Sequence, residues 1–266
     1  MHTMNIEVCI IGWNRPTCLT QTLNAVSNLS KSPCGIKVFL DGDNLSEQSV
    51  DCYDVACRYC GTEHVKLNSS REGIPAQWWK ALCRTESEGV DAVLVLEDDV
   101  VVEPLYLDAI ESMLHTYRDP RVSLVSSFPD KVNPCAPCLP WTTGDHLLGV
   151  ATTKEQWLAL KPYYQLFLDG KFPTLEGNCG PNPLAGQDVA LYTAMAMNGS
   201  VPLFSRYRLA KYIGVHGVHG TLDDYEQKQW GTLPTDSSFI HEPMNQWWLD
   251  NAVRYVKEQY IHGLVI

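Results

Sequence analysis

The chain has 266 residues, 45% of them hydrophobic and 19% charged, with a formal net charge of -11. That length suits one large domain or two small ones, and the even scatter of Gly and Pro excludes a disordered chain. The acidic balance excludes a protein that tracks nucleic-acid phosphates, which needs clustered Lys and Arg, so any nucleotide it binds is small.

The first apolar run, Val8 to Trp13, is continuous and suits a strand buried on both faces. It ends at Asn14-Arg15-Pro16, a turn signal opening a helix with Leu19, Leu23 and Val26 on one face, which Ser32-Pro33 closes. A second strand, Lys37 to Leu40, runs into Asp41-Gly42-Asp43, and a third, Val65 to Leu67, runs into a polar loop containing Arg71. Pro75 then opens a helix carrying Trp78, Trp79, Ala81 and Leu82. The fourth strand, Ala92 to Leu96, leads straight into Glu97-Asp98-Asp99. Pro104 opens a helix with Ala109, Ile110, Met113 and Leu114 at helical spacing, and Val122 to Val125 reads as a fifth strand.

The remaining half is less regular. It holds a Pro- and Cys-rich loop (Lys131 to Pro140), a short helix around Glu155 to Leu160, a loop from Gly177 to Gly186, a helix from Gln187 to Met197 and a C-terminal helix from about Asn245. Strands alternating with helices predict an α/β fold with a mostly parallel sheet flanked by helices. Such sheets bind ligands beyond the carboxyl ends of their strands. Here those ends carry Arg15, Asp41, Arg71 and the acidic triple, which predicts a shared cleft.

No apolar run approaches the roughly 18 residues of a membrane span, and the start lacks a basic segment followed by an apolar one, so a cytoplasmic protein is expected. Among the ten cysteines, Cys57 with Cys60 and Cys135 with Cys138 form CxxC pairs that could close a structural zinc site. The gap between the pairs is far longer than in a zinc ribbon, and free thiols are the expectation.

Three consecutive carboxylates after a buried strand repel one another unless something offsets them, and a divalent cation does so. Mn²⁺ or Mg²⁺ takes oxygen ligands and completes its shell with phosphate oxygens and water, so one or two carboxylates suffice beside a diphosphate. A solvated acidic turn is the alternative.

Four segments carry a family resemblance in their order and spacing: Ile10 to Pro16, Val95 to Asp99 followed by Glu103-Pro104, Leu148 to Trp157, and Gly186-Gln187-Asp188. With them the chain resembles the GT-A glycosyltransferases, and among them the inverting N-acetylglucosaminyltransferase I type, which includes protein O-mannose N-acetylglucosaminyltransferase-like enzymes. The resemblance implies one GT-A domain over residues 1–266, with a nucleotide-sugar-binding half (1–127) and an acceptor-binding half (128–266). It implies a uridine-diphosphate sugar donor and a glycan or lipid-linked acceptor.

It also implies roles. Asp99 would bind the metal, Glu97 and Asp98 would accept hydrogen bonds from ribose or sugar hydroxyls, and Arg15 would lie against the diphosphate. Asp41 would accept the uracil imide proton, and Arg71 is a looser phosphate candidate; for both arginines a surface ion pair is the alternative. Asp188 would be the catalytic base of an inverting transfer, against the alternative of a helix-capping Asp. His216 or His219, in a Gly-rich stretch, is an additional metal ligand or else a loop histidine bonded to backbone. Two other functions compete. A sugar nucleotidyltransferase would carry a Gly-rich loop with Arg and Lys where this chain has Trp13-Asn14-Arg15-Pro16. A non-catalytic sugar-nucleotide or glycan-binding module would have no use for Asp188.

Overall fold

The computed structural model describes residues 3–42, 46–129, 141–142, 146–171, 187–205, 208–214 and 246–260. Its centre is β1 (Ile6–Gly12), buried at all but its last residue. On one side β1 pairs in parallel with β2 (Gly35–Leu40), which pairs in parallel with β3 (Val65–Leu67). On the other it pairs in parallel with β4 (Ala92–Glu97), placing Ile11 opposite Glu97. Helix α1 (Pro16–Ser27) starts with its proline in the first turn, where the missing N–H costs nothing, and buries Leu19, Leu23 and Val26. Helix α3 (Ile74–Leu82) likewise carries Pro75 in its first turn and buries Trp78, Ala81 and Leu82.

Between β2 and β3 lies a helix that the sequence pattern does not announce, α2 (Glu47–Cys60). Its buried face is Ser49, Cys52, Val55 and Ala56, too short of large aliphatic residues to raise a clear 3.6-residue period. Ser46 caps it by accepting from the Ser49 N–H at 3.3 Å.

After β4 the chain turns at Asp98-Asp99 into β5 (Val100–Val102), then α4 (Tyr106–Thr116) and β6 (Val122–Ser126). The sheet continues through β7 (Trp141–Thr142), β8 (Val150–Thr153) and β9 (Val201–Ser205), giving the order β3-β2-β1-β4-β8-β6-β9-β7. Only β7 and β8 run against the rest. The mostly parallel sheet is therefore present, with β8 inserted as a reversed strand between β4 and β6. Strand β9 escapes sequence reading because Pro202 sits inside it; the register shift between Val122 and Leu124 in its β6 partner accommodates that proline.

Helix α5 (Lys154–Leu168) is much longer than the short helix expected around Glu155 to Leu160, and it runs through Pro162. A capping box between Thr153 and Gln156 starts it. Tyr164 on α5 donates to the Pro75 carbonyl at 2.9 Å, tying it to α3. Helix α6 (Gln187–Asn198) precedes β9, the three-residue strand β10 (Ala210–Tyr212) follows as the antiparallel partner of β5, and α7 (Gln246–Tyr260) is the last described element.

Because β1, β2, β3, β4, β6 and β9 all point one way, their carboxyl ends share one edge. Reversed β8 brings its entrance, Leu147 to Gly149, to that same edge, since Val150 lies opposite Val95. At the edge, β2 and β3 run into loops that touch: a Cβ on Gly42 would lie 2.1 Å from the Asn68 carbonyl oxygen. The contact is backbone against Cβ, so no rotamer relieves it. Gly42→Ala should lower the urea midpoint at unchanged m, a loss of about 1–3 kcal/mol; an unchanged midpoint would mean that the two loops separate freely.

Candidate active site

Asp98 and Asp99 are both buried, at 1% and 0% exposure, directly after β4. Two glycines make room for them and two donors hold their backbone. Gly12 leaves space at the end of β1, where a Cβ would stand 2.9 Å from the Asp98 Cβ. Thr22 on α1 donates to the Asp98 carbonyl at 2.8 Å, and the Ile213 N–H donates to the Asp99 carbonyl at 2.9 Å. Gly214 then presses against the carboxylate itself, with a would-be Cβ 2.1 Å from Asp99 Oδ2.

Arg15, the residue before α1, bridges both acids. Its guanidinium pairs with Asp98 Oδ1 and lies 2.5 Å from Asp99 Oδ2. Burial works against the arginine's charge, but Asp98 and Asp99 outweigh it and hold it firmly protonated. Burial also dominates the acids. It pushes Asp98 up to about 7, helped by the charge of Asp99 and opposed by Arg15. Asp99 is raised by burial, against the pull of Arg15 and the Tyr212 hydroxyl. Glu97 is raised well above the usual carboxylate range, by burial and then by Asp99, Asp188 and Asp98.

One guanidinium does not satisfy this cluster. Among the described residues, Asp98 Oδ2 and Asp99 Oδ1 are buried without a hydrogen-bond partner. Buried carboxylate oxygens without donors are costly, and a hard cation is the group that uses them. Among the described residues no three His, Cys, Asp or Glu side chains form a metal cage. The donor set therefore fits a cation that takes one or two carboxylate oxygens and completes its shell with ligand oxygens, as Mn²⁺ and Mg²⁺ do beside phosphates. His216, His219, Asp43, Cys135 and Cys138 lie outside the described residues; Cys57 and Cys60 are free thiols.

Asp188 comes to the same edge from α6. Its Oδ1 accepts from the Leu147 N–H at 3.0 Å, and the neighbouring Gln187 amide donates to Glu97 Oε1 at 2.7 Å. The acidic triple and Asp188, 90 residues further along the chain, are thus joined through one side chain. Arg71 is exposed and stacks its guanidinium 4.0 Å from the Trp13 ring centroid, so the loops after β1 and β3 meet. Among the described residues it is a cation–π partner and forms no ion pair.

Asp41 has a role that sequence reading missed. Its Oδ1 accepts from the Glu72 N–H at 2.8 Å, from Gly42, and from the side chains of Asn68 and Gln77, while Oδ2 accepts from the Gly73 N–H at 2.9 Å. It orders the loop that carries Arg71. Tyr212 and Gln187 were also missed as site residues. Gln187 lies within the Gly186-Gln187-Asp188 segment, whereas nothing in the sequence marks Tyr212.

No protein-family model matches the chain, and no curated protein matches it in sequence. Solved structures do match. Staphylococcus aureus TarS residues 1–349, in complex with UDP, aligns at TM-score 0.52 and 14% identity, over 85% of this chain and 63% of that one. The mannosyltransferase PcManGT from Pyrobaculum calidifontis, in complex with GDP-Man and Mn²⁺, aligns at TM-score 0.49 and 16% identity, over 77% and 58%. The chain thus spans less than two thirds of the length of each. With the sheet order and the reversed β8, the first likeness assigns the chain the GT-A fold, that of nucleotide-diphospho-sugar transferases.

Removing Arg15 leaves two buried acids without a counter-charge. A fully enclosed pair broken this way costs about 3–5 kcal/mol; with the Arg15 side chain 33% exposed, about 1–3 kcal/mol is expected for Arg15→Met. The loss depends on pH. Since folding raises Asp98 from 3.8 to about 7, the folded state binds that proton more tightly and stability falls as pH rises through this window. Arg15→Met should steepen the fall, so urea unfolding at pH 7.5 should show a larger deficit than at pH 5. Equal deficits would mean that Arg15 acts through packing alone.

Proposed function

We propose that this protein is a metal-dependent glycosyltransferase that moves a sugar from a uridine-diphosphate sugar to a hydroxyl acceptor with inversion. The observation that carries the reading is the convergence, on one sheet edge, of two buried under-satisfied carboxylates beside an arginine with a separate carboxylate, Asp188, brought next to Glu97 by α6. A binding module has no need for that last group. The GT-A fold supports the reading, and so does the UDP in the TarS complex.

In this reading residues 1–127 form the donor half and 128–266 the acceptor half. Asp99 holds Mn²⁺ or Mg²⁺, which when bound neutralises charge on the leaving diphosphate. Arg15 gives charge-assisted hydrogen bonds to phosphate oxygens, and Arg71 stands by as a second cation. Glu97 and Asp98 accept hydrogen bonds from ribose or sugar hydroxyls. Asp41 accepts the uracil imide proton, through Oδ2, which receives a single N–H from the protein among the described residues. Asp188 takes the acceptor proton as the new bond forms, on the face opposite the leaving group. His216 or His219 is an additional metal ligand.

The finer proposal is the inverting N-acetylglucosaminyltransferase I type, transferring a hexose or N-acetylhexosamine to a glycan or lipid-linked acceptor in the cytoplasm. Among the described residues no helix is long and apolar enough to cross a membrane.

Calorimetry tests the donor site. UDP should bind in Mn²⁺, and either EDTA or Asp99→Ala should abolish binding, because bare carboxylates repel a diphosphate. Undiminished binding in EDTA would sink the metal assignment. For the base, Asp188→Asn should leave UDP affinity and melting temperature nearly unchanged while turnover of a uridine-diphosphate sugar falls about 100- to 10,000-fold. A helix-capping Asp forecasts near-normal turnover instead, because Asn caps almost as well.

A further inference from the structure

Gln187 has no part in the proposed chemistry, yet it occupies the junction of the two halves. It is the first residue of α6 and only 7% exposed. Its Nε2 donates to Glu97 Oε1 at 2.7 Å and lies 3.5 Å from Asp188 Oδ1. That oxygen also accepts from the Leu147 N–H.

We propose that Gln187 is a positioning residue for the transfer: its side-chain amide ties Glu97 on the donor side to Asp188 and holds the base carboxylate in one orientation. The inference rests on the reading of Asp188 as the base.

Three observations support it. First, the chemistry of the side chain fits the place. Glu97 and Asp188 repel each other, and an uncharged NH₂ with two N–H groups can donate to both at once. A Glu at 187 would add another carboxylate, and an Asn, one methylene shorter, would not span the gap.

Second, the other anchor on Asp188 is itself fixed. Ser126 Oγ donates to the Leu148 carbonyl at 2.8 Å, and Tyr106 Oη donates to the Gly149 carbonyl at 2.5 Å. Gly149 has φ +60 and would meet Tyr106 Oη at 2.4 Å if it carried a Cβ, so this entrance to β8 has one conformation. The Leu147 N–H is therefore aimed by buried groups on α4 and β6. Gln187 supplies a further point of attachment on the same oxygen, from the side of Glu97.

Third, Glu97 is the last residue of β4 and Asp188 lies on α6, so the amide links the strand that carries the donor acids to the helix that carries the base. Misplacement of a catalytic group by about 1 Å can cost 100-fold in rate. Such a link acts on the rate of the chemical step and not on donor capture.

The test is a double-mutant cycle of Gln187→Leu and Asp188→Asn, read by hydrolysis and transfer of uridine-diphosphate sugars in Mn²⁺ and by urea unfolding. Gln187→Leu alone should lower kcat about 10- to 100-fold with donor KM and UDP affinity within about threefold of the parent. Added to Asp188→Asn it should change kcat by less than about twofold, because the group it positions is already gone. In urea unfolding the loss caused by Gln187→Leu should shrink in the Asp188→Asn background, where the repulsion that the amide bridges is relieved. This arm needs no turnover. Equal effects of Gln187→Leu in both backgrounds, or a KM that rises in step with the fall in kcat, would overturn the proposal. If Asp188→Asn itself turns over normally, the reading of the base fails. If Asp188→Asn is inactive while Gln187→Leu keeps the parent rate, only the positioning role fails.

Discussion

Two adjacent carboxylates buried at the end of a central strand are the constraint around which this molecule is built. Asp98 and Asp99 sit where water is excluded and where their own repulsion is strongest, and a single guanidinium offsets them. Each neighbouring choice of residue follows from that. Gly12 and Gly214 are the only residue type that leaves the acids room. Arg15 is delivered by the turn ahead of α1, so the N-terminal segment is committed to the site from its first helix onward. The Ile213 N–H then fixes the acids from the far side of the chain. A site that needs so many elements to hold two negative charges in place is stabilised by whatever neutralises them, which is the physical case for a cation there.

The sheet topology gathers further groups around this charged corner. Parallel strands collect Asp41, Arg71, Arg15 and the acids on one edge, as open α/β sheets do. The reversed β8 adds what an all-parallel sheet would lack. It returns the chain to the same edge, so that Leu147 offers a backbone N–H to Asp188 across from β4. Glu97 at the end of β4 and Asp188 on α6 are then linked through one side chain, Gln187.

Much of this was legible in the sequence, and the reasons differ by element. Strands β1 and β4 are continuous apolar runs because both of their faces are covered, and an acidic triple at the end of such a run stands out against it. Helices α1 and α3 were readable from their first-turn prolines. By contrast α2 is packed with Ser, Cys and Ala, β9 contains Pro202, and α5 continues through Pro162, so local rules pointed away from each. Within the site, single residues with a chemical signature were legible and partnerships were not. Asp41 looks like a free acceptor in sequence, but it is held by a loop some 30 residues further on. The Gln187–Glu97 bond joins residues 90 apart, and no local pattern encodes it.

The central claim is that the buried acids exist to hold a divalent cation against a nucleoside diphosphate. Anomalous scattering from a crystal grown with Mn²⁺ and UDP tests it directly. The account predicts one strong manganese peak within coordination distance of an Asp99 carboxylate oxygen and of the UDP phosphates, with Arg15 within hydrogen-bond reach of a phosphate oxygen. UDP bound on this sheet edge with no manganese at Asp99, or manganese bound away from the acidic triple, would contradict it.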